Sequence, residues 1–480
     1  MAKLDLSKTP FGASGSRHML IEADGKLWLS LAPDGGGALF GGAAARNAGL
    51  LEISLVRGEE DVPYTYTSDG FAVTLKADGS ELRFAVDADV NAVRIEGGTN
   101  ATLRLDGKNP GGTTLNTGTA ADLTIGGGRY YLIAKRGSYT FDDTWVLNAF
   151  GSVRAVYDLA PDNGAIELIA YTLDADTEPK TPTRTLEQVV ADNKEAYEAF
   201  LARMVDVPAE YAELKAKVAY TLWTSYKHVS AVADAVVADR LKSPAIVPSE
   251  QAIAALAFKD AEIAAKLIVS AEKSYPPIAG LAAFRLVKEV PRKLLIPLHH
   301  SLANTAEWWL KNRYKDGKFF YAYRFETGIA NPKAFRAGEA VESPDLYAYL
   351  YLLFLTLHKC ETELNNTYAA TVWKERADAI TEGQAFSRLV DNSGDGTKYL
   401  ARSVNTGETA EVDEAVSRIP LFCEVTTDLA VSLMEGNYYK YEVSEPTVLD
   451  ALCGGYTGDT DNAIIGAALL YRASLRKEEE

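Results

Sequence analysis

The 480-residue chain lacks most of the features that mark a function class. Its three cysteines, Cys360, Cys423 and Cys453, are odd in number and far apart, which suits reduced thiols better than a disulfide framework. Its five histidines include one adjacent pair, His299-His300, which cannot share a helix face, so no zinc site is expected. Cations are in the minority: 49 Lys and Arg against 66 Asp and Glu leave a net charge of −17. That balance argues against nucleic acid or anionic membrane as a partner, because both require a basic surface to displace counterions. The most apolar run, Ala348–Leu357, is too short to cross a bilayer. The opening MAKLDLSKTPFG carries no apolar signal-peptide core, so a cytoplasmic protein is expected. Neither a Gly-x-Ser-x-Gly elbow nor a dinucleotide fingerprint occurs. The glycine clusters Gly35–Gly37 and Gly126–Gly128 have no phosphate-loop lysine and read as turns. Asp391-Asn392-Ser393-Gly394-Asp395-Gly396 begins like a calcium loop, but Arg402 stands where a bidentate glutamate belongs, and a hairpin turn is the better reading. No metal and no cofactor is called for. A chain that is 47% hydrophobic and 24% charged is an ordinary globular composition, and its length is enough for two cores. Its acidic surface is compatible with a neutral, hydroxyl-rich partner such as a small carbohydrate.

The hydrophobic period changes once along the chain. Up to about residue 176 apolar and polar residues alternate, as in Lys26–Leu31, Phe71–Lys76, Glu81–Val86, Arg129–Lys135 and Ala165–Thr172. Turn dipeptides Asp24-Gly25, Asp69-Gly70, Asp78-Gly79 and Asn163-Gly164 separate these runs, which predicts an antiparallel β-sandwich over 1–176. A Thr/Pro linker fills 177–184, and Thr185-Leu186-Glu187-Gln188 is a capping box that opens a helix. From 185 to 480 the period is helical, with helices predicted over 208–231, 249–272, 278–290, 297–314, 344–364, 367–386, 424–436 and 459–475. Ser343 is placed to cap the 344–364 helix, with Pro344 and Asp345 in its first turn. Helical hairpins in series suit a toroid of paired helices better than a small bundle.

The stretch 316–353, DGKFFYAYRFETGIANPKAFRAGEAVESPDLYAYLYLL, resembles the catalytic segment of inverting glycosidases of the trehalase, processing α-glucosidase I and mannosylglycerate hydrolase kind. In those enzymes the pattern reads roughly Glu-Ser-Gly-(Trp/Met)-Asp-Asn-Ser, followed by a Ser-Pro-Asp-Leu that opens a helix. Glu326, Gly328, Asn331 and Glu342-Ser343-Pro344-Asp345-Leu346 keep the frame, whereas Ala330 stands where the family places its general acid and Ile329 replaces the aromatic or methionine. The base loop is similar too: Tyr439-Lys440-Tyr441-Glu442-Val443, then Gly454-Gly455-Tyr456 and Asp459-Thr460-Asp461-Asn462. There Tyr439 occupies the position of the family's glutamate. At the family's tryptophan-aspartate pair the chain has Pro248-Ser249-Glu250-Gln251. The resemblance implies a β-sandwich followed by an (α/α)6 toroid, with the active site at the mouth of the toroid.

Inverting hydrolysis needs an acid and a base about 6.5–9.5 Å apart, with a water between. The resemblance leaves Glu326 and Glu442 as the remaining carboxylates for these roles. For Glu326 the competing reading is a residue that hydrogen-bonds loop amides, and for Glu442 a solvated surface charge. Glu250, Tyr323, Arg324, Asn331, Arg336, Tyr439 and Tyr456 are the candidate substrate-binding residues. Tyr321, Trp223 and one of Trp308 and Trp309 could line a pocket, but aromatic residues at helical spacing are more often core. Two functions follow: a glycoside hydrolase acting on a small α-linked glycoside, or a non-catalytic carbohydrate-binding or scaffolding homologue.

Overall fold

The structure is a computed structural model, and it describes residues 4–31, 51–107, 113–116, 120–125, 128–142, 145–146, 152–153, 155–172, 178–237, 246–382, 385–391, 398–423, 425, 447–453, 456 and 458–479. The chain forms two compact units: Met1–Ala202 with Ala219–Lys227 and Val237–Ala245, and Arg203–Val218 with His228–Val236 and Ile246–Glu480. The first unit therefore extends past residue 176, for a physical reason found in helix α1 (Leu186–Ala202). Leu186 and Val189 of α1 pack on Ala85 of a strand. Arg184 reaches Asp87 at 2.5 Å, Asp89 at 2.9 Å and Asp192 at 2.8 Å. The expected capping box is present: Thr185 N donates to Gln188 Oε1 at 2.8 Å and Gln188 N to Thr185 Oγ1 at 3.2 Å.

The first unit is antiparallel β throughout its described sheets. One sheet runs His18–Ala23, Lys26–Leu31, Leu51–Arg57, Thr102–Gly107, Ala155–Ala160, Ser138–Asp142. The other runs Thr113–Asn116, Ala121–Ile125, Gly128–Arg136, Ala165–Thr172, Ala92–Gly98, Ser80–Asp87, Val73–Ala77, Tyr64–Ser68. Alternation does the sorting: Leu82, Phe84 and Val86 are buried while Glu81 is exposed, and Leu103 and Leu105 are buried between less buried neighbours. A hydrogen bond from Tyr64 Oη to Ile53 O at 2.9 Å joins the edge strand of the second sheet to the first. Trp223 packs against Phe71 and Tyr197 in this unit and is core.

The second unit is helical: α2 (Ala212–Ser225, shared with the first unit), α3 (Pro248–Leu256), α4 (Ala261–Val269), α5 (Ala279–Phe284), α6 (Arg292–Asn312), α7 (Pro344–Glu363), α8 (Thr367–Thr381), α9 (Glu414–Phe422), α10 (Val448–Cys453) and α11 (Ala463–Glu479). Two predicted helices are corrected. The 208–231 helix stops at Ser225, because the β-branched run around Val229, Val232 and Val236 forms strands Tyr226–Ser230 and Ala233–Val236. The 249–272 helix is two helices, since Asp260 accepts from Glu262 N and Ile263 N and starts α4 afresh. The predicted 424–436 helix lies, apart from Val425, outside the described residues. Neighbour relations among α3, α5, α7, α9, α10 and α11 run in that order and return from α11 to α3. The tightest step is α5 on α7, where a Cβ on Gly280 would lie 2.5 Å from Leu353 Cα, so only glycine admits this approach. Among the described residues no helix is long and apolar enough to cross a membrane.

His18, fully buried in the first unit, contacts Asn91 O at 3.1 Å and Thr172 Oγ1 at 2.9 Å through Nε2. Burial lowers its pKa from 6.5 to about 4, the Asn91 carbonyl opposing and Arg17 adding to the fall. The unfolded chain therefore takes up a proton at a higher pH than the folded one, so this contribution is complete above pH 6.5 and is lost as pH falls towards 4. We predict that His18 costs about 2 kcal/mol of stability between pH 7 and pH 5. The check is urea denaturation at both pH values: His18→Gln should lose that part of the pH dependence, and an unchanged slope would refute it.

Candidate functional site

The segment that carries the sequence resemblance is a loop closed at its base. Tyr321 and Val341 exchange backbone hydrogen bonds at 2.9 Å in both directions, so residues 322–340 leave and return at one point. Upstream, the Asp316-Gly317 turn joins Tyr314–Lys315 to Lys318–Phe319, with φ of 51° and 77° that suit Asp-Gly. This hairpin folds Arg313, just past the end of α6, back over the loop. Phe320 N donates to Arg313 O at 3.1 Å.

Glu326 is the centre of the loop. It is 1% exposed, in a 3-10 turn spanning Arg324–Thr327. Arg313 donates to its Oε1 from Nε at 2.9 Å and from Nη2 at 2.5 Å. Ala322 N and Tyr323 N donate to its Oε2 at 2.7 and 3.3 Å. The buried carboxylate is thus occupied by a partly buried guanidinium and two amides. After it, Gly328 takes φ of 72° and seats the chain against Pro276, where a Cβ would lie 2.9 Å from the proline Cδ. Ala330 and Asn331 follow on the surface, both exposed.

Below the loop the start of α7 is also held. Ser343 precedes Pro344 as expected, yet its hydroxyl donates to Asp345 Oδ1 rather than capping the helix amides. Tyr321 Oη donates to Asp345 Oδ2 at 2.9 Å, and burial pushes the Asp345 carboxyl up to about 6. Glu342 accepts from Tyr347 Oη and Arg388 Nη2, both at 2.7 Å. Tyr321 and Trp309 are fully buried and belong to the core.

A small cleft of about 70 Å³ opens beside the loop. It is lined by Ser249, Glu250 and Ile253 of α3, Pro276 and Ile278 before α5, Thr327 and Gly328, Val448 and Leu449 of α10, and Ile464 of α11. The start of α3 is pinned by Gln251, whose Nε2 donates to Val236 O at 2.8 Å and whose Oε1 accepts from Val236 N at 2.7 Å. Glu250 lies in the first turn of α3 and is the one carboxylate among the described lining residues. An apolar wall with a few convergent polar groups is the usual lining of a small-molecule site.

The sequence-predicted residues therefore part company. Glu250 meets the acid loop across the cleft. Arg324, Asn331 and Arg336 are exposed and lie outside its lining, while Tyr323 is 58% exposed at the head of the 3-10 turn. Tyr456 turns its hydroxyl to Asp459 O at 2.5 Å between α10 and α11. Glu442 and Tyr439 lie outside the described residues. Val390–Asp391 pairs with Lys398–Ser403 on either side of the supposed calcium loop, as a hairpin requires, and the described residues hold no metal-binding cluster. Sequence reading missed Arg313. Its signal was the Asp-Gly turn three residues on, which brings the end of α6 against the loop.

No protein-family model and no curated protein matches the chain. Among solved structures it is similar to a bacterial glucoamylase complexed with acarbose, with a TM-score of 0.58 and 11% identity over 98% of this chain and 94% of that one. It is equally similar to a family GH92 α-mannosidase from Bacteroides thetaiotaomicron, with a TM-score of 0.58 and 9% identity over 98% of this chain and 82% of that one. A mannosylglycerate hydrolase from Thermus thermophilus matches 39% of this chain with a TM-score of 0.33, too little to carry an argument. The fold is one that glycoside hydrolases use.

Removing Arg313 leaves the buried Glu326 without its cation and with only the Ala322 and Tyr323 amides as partners. We predict that Arg313→Ala destabilises the chain by about 3–5 kcal/mol, whereas Glu326→Gln, which still accepts from the Ala322 amide, costs less. Urea midpoints of the two variants decide it; equal and small losses would mean that the pair is not what holds the loop.

Proposed function

We propose that this chain is a carbohydrate-active protein that takes a small α-linked glycoside into the cleft between the 323–331 loop and the first turn of α3. The observation that carries this reading is the meeting of Glu250 with Thr327 and Gly328 around one apolar-walled cavity. The glycosidase fold and the sequence pattern of 316–353 support it. In the same reading the helix circuit is the inner wall of an (α/α)6 toroid of the trehalase type, and the buried thiols Cys360 and Cys423 accord with a cytoplasmic site.

The chemistry proposed is inverting hydrolysis. One carboxyl group protonates the leaving oxygen while a carboxylate on the other side activates water, and the water's attack inverts the anomeric carbon. Glu326 was the expected acid, but its bonds to Arg313 and two amides suit a positioning residue that holds the loop. Glu250 takes the acid role here and Glu442 the base. Turnover of a panel of α-glucosides and α-mannosides is the test. Glu250→Gln should lower it by about 10²–10⁴-fold, and proton NMR should show the β-anomer first. Full activity in Glu250→Gln sinks the assignment.

Two observations favour a second reading, in which the cleft binds sugar without cleaving it. Ala330 presents a methyl at the position of the family's acid. Glu250 sits where the positive end of α3 favours a carboxylate that accepts hydroxyl hydrogen bonds. This reading expects saturable binding of the same panel, weakened in Glu250→Gln, with no release of sugar. Any enzyme-dependent release ends it.

A further inference from the structure

We propose that Tyr323 and Phe325 form a stacking platform for a second pyranose ring, so that the preferred ligand is an α-linked oligosaccharide extending out of the cleft. The proposal rests on the carbohydrate reading of the cleft and deepens it.

Two large rings stand in water here. Tyr323 is 58% and Phe325 66% exposed, and their rings lie parallel, 5.6 Å apart with an interplanar angle of 7°. Exposed side chains of this size ordinarily lie loose on the surface, but these are held. The Arg313 guanidinium lies 5.6 Å from the Tyr323 ring and 4.8 Å from the Trp308 ring. Tyr275 presents its edge to Phe325 at 6.2 Å and to Trp308 at 5.0 Å. The five groups form a closed circuit of ring and cation contacts, and Arg313 in that circuit is paired with the buried Glu326. A rigid, exposed aromatic pair gives up little conformational entropy on binding, and such patches mark recognition surfaces.

Position and chemistry select the occupant. Both residues belong to the same short turn as Thr327, which lines the cleft with Gly328, and Tyr275, whose ring contacts Phe325, directly precedes the lining residue Pro276. A sugar ring offers an apolar face of C–H groups to an aromatic ring while its hydroxyls stay in water. The net charge of −17 disfavours an anionic chain and leaves a neutral one unopposed.

The experiment is calorimetric titration of the full chain with α-linked gluco- and manno-oligosaccharides of two to five units, repeated on Tyr323→Ala/Phe325→Ala, Phe325→Trp and Glu250→Gln. The proposal expects affinity to rise with length in the unaltered chain. That rise should fall by about tenfold in the double alanine variant, with the two-unit probe little changed, and should persist in Phe325→Trp. Length-independent affinity, equal in the unaltered chain and the double variant, overturns the platform and leaves the cleft reading standing. Length-dependent binding that survives Glu250→Gln at full strength, yet falls in the double variant, supports the platform and removes the cleft. Binding of none of the probes overturns both. A dimer that the double variant dissociates in sedimentation makes the rings a protein interface and also overturns it.

Discussion

Burying a guanidinium against a carboxylate costs several kcal/mol of lost hydration for each ion, and that cost is offset only when geometry and further hydrogen bonds are good. At Arg313 and Glu326 both conditions hold. The cation meets the carboxylate through two nitrogens, and two loop amides take its remaining lone pairs. Everything near the candidate site follows from this pair. It fixes the 3-10 turn, the turn places Thr327 and the left-handed Gly328 at the cleft, and the guanidinium supports the exposed rings above it. Glu326 is here committed to architecture.

That commitment changes how the rest of the cleft is understood. A carboxylate held by an arginine and two amides is poorly placed to give up or accept a proton in a reaction. Glu326 does not line the cleft, and whatever the cleft performs must be drawn from the residues of its walls and from Thr327 and Gly328. Those walls are the starts of α3, α10 and α11 and the segment before α5, and all but Glu250 and the hydroxyls of Ser249 and Thr327 present apolar side chains. Such a surface orients a neutral ligand through a few polar contacts and excludes water around them.

Much of the fold was legible in the sequence, because it rests on local rules. Alternation with Asp-Gly and Asn-Gly turns specified the sheets, and the Thr185–Gln188 box specified the start of α1. Where reading failed, tertiary context had overruled local preference. A helical period over 208–231 gave way to strands once β-branched residues accumulated, and Ser343 turned from the helix amides to Asp345 because the buried carboxyl needed a donor. The site was legible as a segment but not as a geometry. Glu250 and the 327–328 turn lie far apart in sequence and meet only because α3, α5 and α7 pack side by side. Arg313 was invisible, since its partner lies across a hairpin whose register only the folded chain reveals.

The circuit of helices has one further consequence. Its last link is α11 against α3, which joins residues more than two hundred positions apart, and the cleft is lined by both. In chain order the sheets come first, while the cleft lacks the wall at Ile464 until α11 has packed. Long-range closure of this kind is slow to form. Until then Ile253 of α3 and Val448 and Leu449 of α10 lack the neighbour that Ile464 of α11 supplies in the finished cleft.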